Sequence, residues 1–329
     1  MTDLFHPDKA DKPPVNKPGN GVSFVEVTDA HAGQRIDNFL LRHLKGVPKS
    51  KIYRIVRKGE VRVNKGRVKA EYKLCEGDVI RVPPVRVAEE KARQGVSESL
   101  HQLLTSSILF EDDRLMVINK PSGLAVHGGS GINQGLIEAL RVMRPELRFL
   151  ELVHRLDRDT SGCIMIAKKR SMLRYLHEQL RTGKVDKRYL ALLAGRWPNR
   201  RKIVTAALLK NTLRSGERMV NVSPEGKKST TEFAIVERYP QATLVEAKPI
   251  TGRTHQIRVH ALHVGCPLLG DDKYGDQQAC QNFKKKGLKR LFLHAASLRV
   301  PMPEDEKDLN VSAALSPELQ SVLDNLPTE

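Results

Sequence analysis

Two aspartates lie close together in Val153-His154-Arg155-Leu156-Asp157-Arg158-Asp159-Thr160-Ser161-Gly162, a run of charged and small polar residues between two apolar stretches. A loop between rigid neighbours is where a scaffold commonly presents catalytic groups. A carboxylate there can attack an electrophilic carbon, stabilise developing positive charge or move a proton. The same residues also suit an ordinary Asx turn at Asp159-Thr-Ser-Gly, with Arg155 or Arg158 paired to an aspartate on the surface. Local composition does not choose between Asp157 and Asp159. An aspartic protease is excluded, because the run has one residue more than Asp-Thr-Gly and no second copy exists.

Three other segments could serve the same site. In Gly252-Arg253-Thr254-His255-Gln256-Ile257-Arg258-Val259-His260-Ala-Leu-His263 a strand passes through a glycine turn into a short helix, with Thr254 as its expected cap and Gly265 and Pro267 as its stop. Arg253 and Arg258 near the helix start are placed to hold an anion. At about 100° per residue His260 and His263 are near neighbours and His255 is turned away, a poor metal-ligand set. In Lys187-Arg188-Tyr189-Leu190-Ala191-Leu192-Leu193, alternation puts Tyr189 on the apolar face of a strand, where a tyrosine is usually core with its hydroxyl reaching a partner. Asn119-Lys120-Pro121-Ser122-Gly123 is a strand end turning at the proline.

These segments must be positioned by their elements. Strands are expected at Leu115–Asn119, Glu151–His154, Cys163–Ala167, Lys187–Leu193, Thr230–Val236, Thr243–Pro249 and Leu291–Ala296, and helices at Leu136–Met143, Ser171–Arg181 and near Thr254–His263. Several strands follow one another with short connections, so the fold class is α+β with a mixed, mainly antiparallel sheet, not a doubly wound parallel one. This catalytic domain is expected over 106–329. A flexible tail precedes over 1–21, then a small basic domain over 22–87 and a polar linker over 88–105.

Charge sets the small domain apart. The chain of 329 residues carries +18, and Arg35 to Lys73 alone contributes thirteen Lys/Arg against three Asp/Glu. Such density is that of a phosphate-binding module, since neutralising several phosphates at once releases counterions. The helix Lys49–Arg57 supplies Lys49, Lys51, Arg54 and Arg57; Lys58, Arg62 and Lys65 follow, and Arg35 precedes. Two helices and a small sheet, with Arg35-Ile36-Asp37, Gly59-Glu60-Val61-Arg62-Val63-Asn64 and Glu76-Gly77-Asp78, resemble an S4-type RNA-binding domain over about 34–84. Cys75, Cys163, Cys266 and Cys280 lie far apart and suggest neither disulfides nor a zinc site. Met1 to Asn20 lacks an apolar region, and no apolar run approaches the roughly 20 residues a membrane span needs. A cytoplasmic monomer with no membrane association is expected.

The strings Asn119-Lys120-Pro121-Ser122-Gly123, His154-Arg155-Leu156-Asp157-Arg158-Asp159-Thr160-Ser161-Gly162, Lys187-Arg188-Tyr189 and Gly252-Arg253-Thr254-His255-Gln256-Ile257-Arg258 together resemble the RluA family of pseudouridine synthases, over about 106–300. The resemblance implies isomerisation of uridine in large-subunit ribosomal RNA without metal or cofactor. It implies Asp157 as the catalytic carboxylate, Tyr189 against the target base and Arg258 paired with Asp157. Lys120, Arg155 and Arg253 are then expected near RNA phosphates from their charge and position. The competing reading is a non-catalytic RNA-binding ribosome-assembly factor; a metal-dependent RNA hydrolase is a third.

Overall fold

The computed structural model describes residues 21–28, 31–44, 46–85, 95–128, 134–212, 218–303 and 306–327. It divides between Gln94 and Gly95 into two units. The expected tail, apart from Gly21, and the linker over 88–94 lie outside the described residues.

The first unit contains β1 (Ser23–Glu26), α1 (Ile36–His43), α2 (Lys49–Arg57), β2 (Arg62–Val63), β3 (Gly66–Arg67) and β4 (Val79–Val82), the strands forming an antiparallel sheet in the order β1-β4-β2-β3. Spacings of three and four put Ile36, Phe39 and Leu40 on one face of α1, and Ile52, Ile55 and Val56 on one face of α2. Both faces share a core with Val61, Val63, Ile80 and Val82 of the sheet side. Gly59 follows α2 at φ +71°, a left-handed conformation that ends helices at low cost to glycine. Asn64 and Lys65, at φ 48° and 67°, turn β2 into β3. Asp78 is buried where it accepts from Asn64 Nδ2, Tyr72 Oη and the Cys75 amide, which ties the hairpin to the loop before β4.

The second unit runs α3 (Glu98–Ser106), β5 (Ile108–Glu111), β6 (Leu115–Lys120), α4 (Leu136–Met143), β7 (Glu151–Leu152), β8 (Ser161–Ala167), α5 (Arg170–Arg181), β9 (Asp186–Ala194), β10 (Ile203–Thr212), β11 (Arg218–Val222), β12 (Lys227–Tyr239), β13 (Ala242–Pro249), α6 (Gln256–His263), α7 (Gln277–Lys285), β14 (Leu293–Val300), β15 (Leu309–Ser312) and α8 (Pro317–Asp324). Its eleven-stranded sheet follows β11-β10-β12-β13-β9-β14-β8-β6-β5, with β15 on β14 and β7 on β8. Every pairing is antiparallel except β14 with β8. The mixed, mainly antiparallel α+β architecture is therefore the one expected.

The linker expected over 88–105 is corrected at its end. Gly95-Val-Ser-Glu-Ser, polar enough to resemble a linker, is a helix start: the Ser97 hydroxyl accepts from the Leu100 amide, and α3 buries Leu104. The strand expected over Glu151–His154 stops at Leu152. There His154 Nε2 replaces a backbone carbonyl as acceptor for the Met165 amide, at 3.2 Å, and the chain leaves the sheet.

The core fixes where β8 begins. Gly162, at φ +107°, lies against β14 so closely that a Cβ would meet the Ala295 backbone at 2.3 Å. Only glycine permits the parallel approach of β8 to β14, and the loop carrying Asp157 ends at that crossing.

Candidate active site

The loop between β7 and β8 is held from beneath by the end of β6. Lys120 is fully buried, and its Nζ donates to the carbonyls of Pro121, Leu124 and Arg158 at 2.8, 2.8 and 2.9 Å. The Ser122 hydroxyl donates to the Asp159 carbonyl, and the Gly123 amide to that of Arg158. Within the loop the Thr160 amide closes a turn on the Asp157 carbonyl. That turn sends its two carboxylates apart. Asp159 pairs with Arg158 at 3.1 Å and lines a cleft of about 360 Å³ with Arg290 and Lys289, whereas Asp157 faces a different cleft, of about 230 Å³, shared with Tyr189.

Tyr189 comes from the central strand β9 and is 9% exposed. Burial first, and then the negative charge of Asp157, raise its pKa and keep the phenol protonated. Opposite stand two nitrogen groups from the segment around α6. Arg258 Nη1 is 3.7 Å from Asp157 Oδ2, and His255 Nε2 is 3.8 Å from the same oxygen.

The expected pairing of Arg258 with Asp157 is corrected in one respect. The primary partner of Arg258 is Asp271, bound through Nε at 2.7 Å and Nη2 at 2.6 Å, with both groups buried. Asp271 also accepts from the amides of Lys273 and Tyr274. Burial lowers the Arg258 pKa, but the hydrogen bonds and charge of Asp271, with that of Asp157, outweigh this and hold it above its ordinary value. The guanidinium also lies over the Tyr274 ring, 4.9 Å from its centroid. One edge of a locked arginine thus remains for Asp157.

His255 is a second correction, since it was expected to face away. It is not in α6 but precedes it as N-cap at φ 54°, ψ 19°, and this left-handed residue breaks the helical phase. Its Nδ1 is 2.7 Å from the Tyr274 hydroxyl, which itself accepts from the Val220 amide. The hydroxyl proton is then directed to Nδ1, and a neutral ring carries its own proton on Nε2, toward Asp157. Thr254 makes no cap; Gln256 organises the turn, accepting from Thr251 Oγ1 and the Arg253 amide and donating to Thr230 O and Thr231 Oγ1. His260 is buried between Ser229 and Thr231 hydroxyls, a structural position.

A model described as RNA pseudouridylate synthase matches residues 114–263, and an S4 domain model matches 34–80. Ribosomal large subunit pseudouridine synthase C of Haemophilus influenzae is 59% identical over 93% of this chain and 96% of its own length. The chain belongs to the RNA pseudouridylate synthase family. The proteins of the same name from Yersinia pestis and Escherichia coli (strain K12) are 60% and 56% identical over 92% and 93% of this synthase, and 95% and 97% of their own lengths. A solved structure, human RNA pseudouridylate synthase domain containing 4, matches at TM-score 0.58 and 30% identity, covering 70% of this chain and 97% of its own. The synthase is thus an isomerase carrying an S4 domain.

Around its cleft, Arg155 and Arg253 stand exposed among the lining residues, accessible to an RNA chain. Lys120 does not. The expectation that it meets a phosphate is overturned, because its ammonium is enclosed by three carbonyls of the chain itself; burial lowers its pKa to about 7. In the S4 domain Lys49, Arg54, Arg57, Lys58, Arg62 and Lys65 are exposed and Lys51 partly so. Arg35 is engaged through Nε and Nη2 by Asp37, although its side chain remains 44% exposed.

The sequence reading missed Asp271, Tyr274 and Arg290. Arg290 donates to Ser161 Oγ at 2.6 Å, and that hydroxyl lies 2.8 Å from His294 Nδ1, so Arg290 and His294 together hold the first residue of β8. Gly270-Asp271-Asp272-Lys273-Tyr274-Gly275, bounded by glycines, carried a turn signal; its role emerges only when a buried arginine needs a counter-charge.

Proposed function

We propose that this synthase converts uridines of large-subunit (23S) ribosomal RNA to pseudouridine, with Asp157 as the reacting carboxylate. The observation that carries the reading is that Asp157 faces the same small cleft as buried Tyr189, between His255 and an Arg258 anchored elsewhere. The RNA class follows from the curated relatives, which are named as ribosomal large subunit enzymes.

A cleft of about 230 Å³ has room for one extruded nucleotide and none for a duplex, so the target uridine is flipped into it. The N1–C1′ bond breaks, uracil turns, C5 bonds to C1′, the C5 proton leaves to solvent and N1 takes up a proton, so that the product is an isomer of the substrate. An ionised carboxylate beside C1′ can add to the sugar or stabilise and deprotonate it, as in other glycosidic cleavages. Arg258 and His255 flank the Asp157 carboxylate at 3.7 and 3.8 Å and aim it. The raised pKa of Tyr189 favours a neutral phenol that packs against the base. Arg155 and Arg253 at the rim meet phosphates beside the target. The synthase works in the cytoplasm, where that RNA is assembled.

Release of tritium from ribosomal RNA labelled at uridine C5 tests the proposal. Release that depends on Asp157 supports it. No release from any ribosomal RNA substrate would leave the non-catalytic RNA-binding reading in its place.

A further inference from the structure

In the S4 domain, α1 and α2 share a core with one face of the sheet, and Phe24, Arg62 and Arg67 on the other face are exposed. On that other face the register aligns four residues in a row: Phe24 of β1 opposite Arg81 of β4, Arg81 opposite Arg62 of β2, and Arg62 opposite Arg67 of β3. Directly opposed residues share a face, and Ile80, Val82 and Val63 between them point into the core. At about 4.8 Å per strand the row spans about 14 Å.

Phe24 is 67% exposed, more than any other large apolar side chain among the described residues, and Val79, opposite Glu26 on the same face, is 41% exposed. A single exposed apolar residue needs no explanation. This one adjoins three arginines that the fold gathers around Gly59 and Glu60 without neutralising them. Arg81 Nη1 donates to the Glu60 carbonyl at 2.7 Å and Arg62 Nε to the Gly59 carbonyl at 3.3 Å. Arg67 lies across Gly59, so that a Cβ there would come within 2.6 Å of its Nε. Backbone carbonyls orient the Arg81 and Arg62 guanidinium groups and leave their charge intact, and none of the three arginines forms an ion pair among the described residues. An aromatic face in line with three oriented cations is complementary to a base and its neighbouring phosphates.

We propose that this row is a second RNA-contact face, on which Phe24 stacks an unpaired base while Arg81, Arg62 and Arg67 hold phosphates of the same single-stranded segment. It rests on the reading that the chain binds RNA, and adds a face on the side of the sheet away from the cations of α2. Stacking and phosphate contacts make it tolerant of sequence.

The full-length Phe24→Trp variant provides the test, with a short single-stranded RNA as probe. The chain's one tryptophan, Trp197, is 1% exposed, so a change in emission reports on position 24. Quenching on RNA addition is expected, with affinity kept in Phe24→Trp and lowered about 5- to 150-fold in Phe24→Ala, the range for loss of one base–aromatic stack. Arg67→Gln should reduce the slope of log affinity against log salt by about 0.7, one single-strand phosphate. Wild-type affinity in both Phe24→Ala and Arg67→Gln would overturn the proposal; if Arg54→Ala weakens binding in the same assay, the general RNA-binding reading survives that failure. Quenching by poly-glutamate as strong as by RNA would also overturn it, in favour of an acidic protein partner.

Discussion

The exposed cations of the S4 domain and the cations that buttress Asp157 are placed by opposite rules. In the S4 domain Lys49, Arg54, Arg57, Lys58 and Lys65 stand in solvent, and none of them forms an ion pair among the described residues. Beneath and beside Asp157 the cations are enclosed: Arg258 is forked onto Asp271 and Lys120 is surrounded by three carbonyls. A solvated charge attracts phosphates and releases counterions, yet tolerates loose geometry. An enclosed charge binds nothing from outside; it fixes the groups around it. Under the proposed function the two units divide affinity from orientation, and removing a charge should have different consequences in each.

The largest effect tests the division directly. Asp157→Asn should lower tritium release by on the order of 10³-fold or more, while RNA affinity measured by filter binding stays at the wild-type level. Retained turnover, with loss in Asp159→Asn instead, would move the chemistry to the other cleft. Next is Asp271→Ala, which leaves Arg258 buried without its main counter-charge. A cost of about 3–5 kcal/mol in urea unfolding is expected, together with reduced turnover; an unchanged unfolding midpoint would show that Arg258 is not locked as described.

Lys120→Met should cost about 1–3 kcal/mol, because buried carbonyls lose their donor. Its pH dependence has a defined sign. The folded-state pKa of about 7 lies below the roughly 10.4 of an unfolded lysine, so between these values the unfolded chain binds the extra proton. Wild-type stability relative to Lys120→Met should therefore rise as pH goes from about 7 to about 10, and be flat below. A constant difference across that range would remove burial as the controlling influence on Lys120. The smallest effect belongs to the exposed set: Arg54→Ala and Arg57→Ala should each reduce the salt slope of RNA binding by about 0.7–0.9 and change unfolding by no more than about 0.5 kcal/mol.

Much of this organisation was legible in the residues, and for identifiable reasons. Helices Lys49–Arg57 and Leu136–Met143 were readable to their ends, because their apolar spacing and bounding residues agree. The strand Ile203–Thr212 was not read, since the apolar run Ile203 to Leu209 hides the alternation that buries Val204, Ala206 and Leu208. Helix Gln277–Lys285 was missed because it is polar and buries little beyond Phe283. At the site, the loop and Tyr189 were legible, whereas the choice of Asp157 over Asp159 rests on family resemblance; the fold adds that the two line different clefts.

The sequence by itself determined the α+β class, the basic RNA-binding module, the family and the short segments that meet at the site, because hydrophobic period, charge density and motif strings are local properties. Tertiary structure alone decided that Arg258 belongs first to Asp271, that Lys120 is enclosed rather than offered to RNA, and that His255 turns toward Asp157. Each of those outcomes depends on which groups share a buried volume: thirteen residues separate Arg258 from Asp271, and thirty-eight separate Lys120 from Arg158. Composition cannot state which charge burial will leave needing a partner, and the fold supplies that partner from another element.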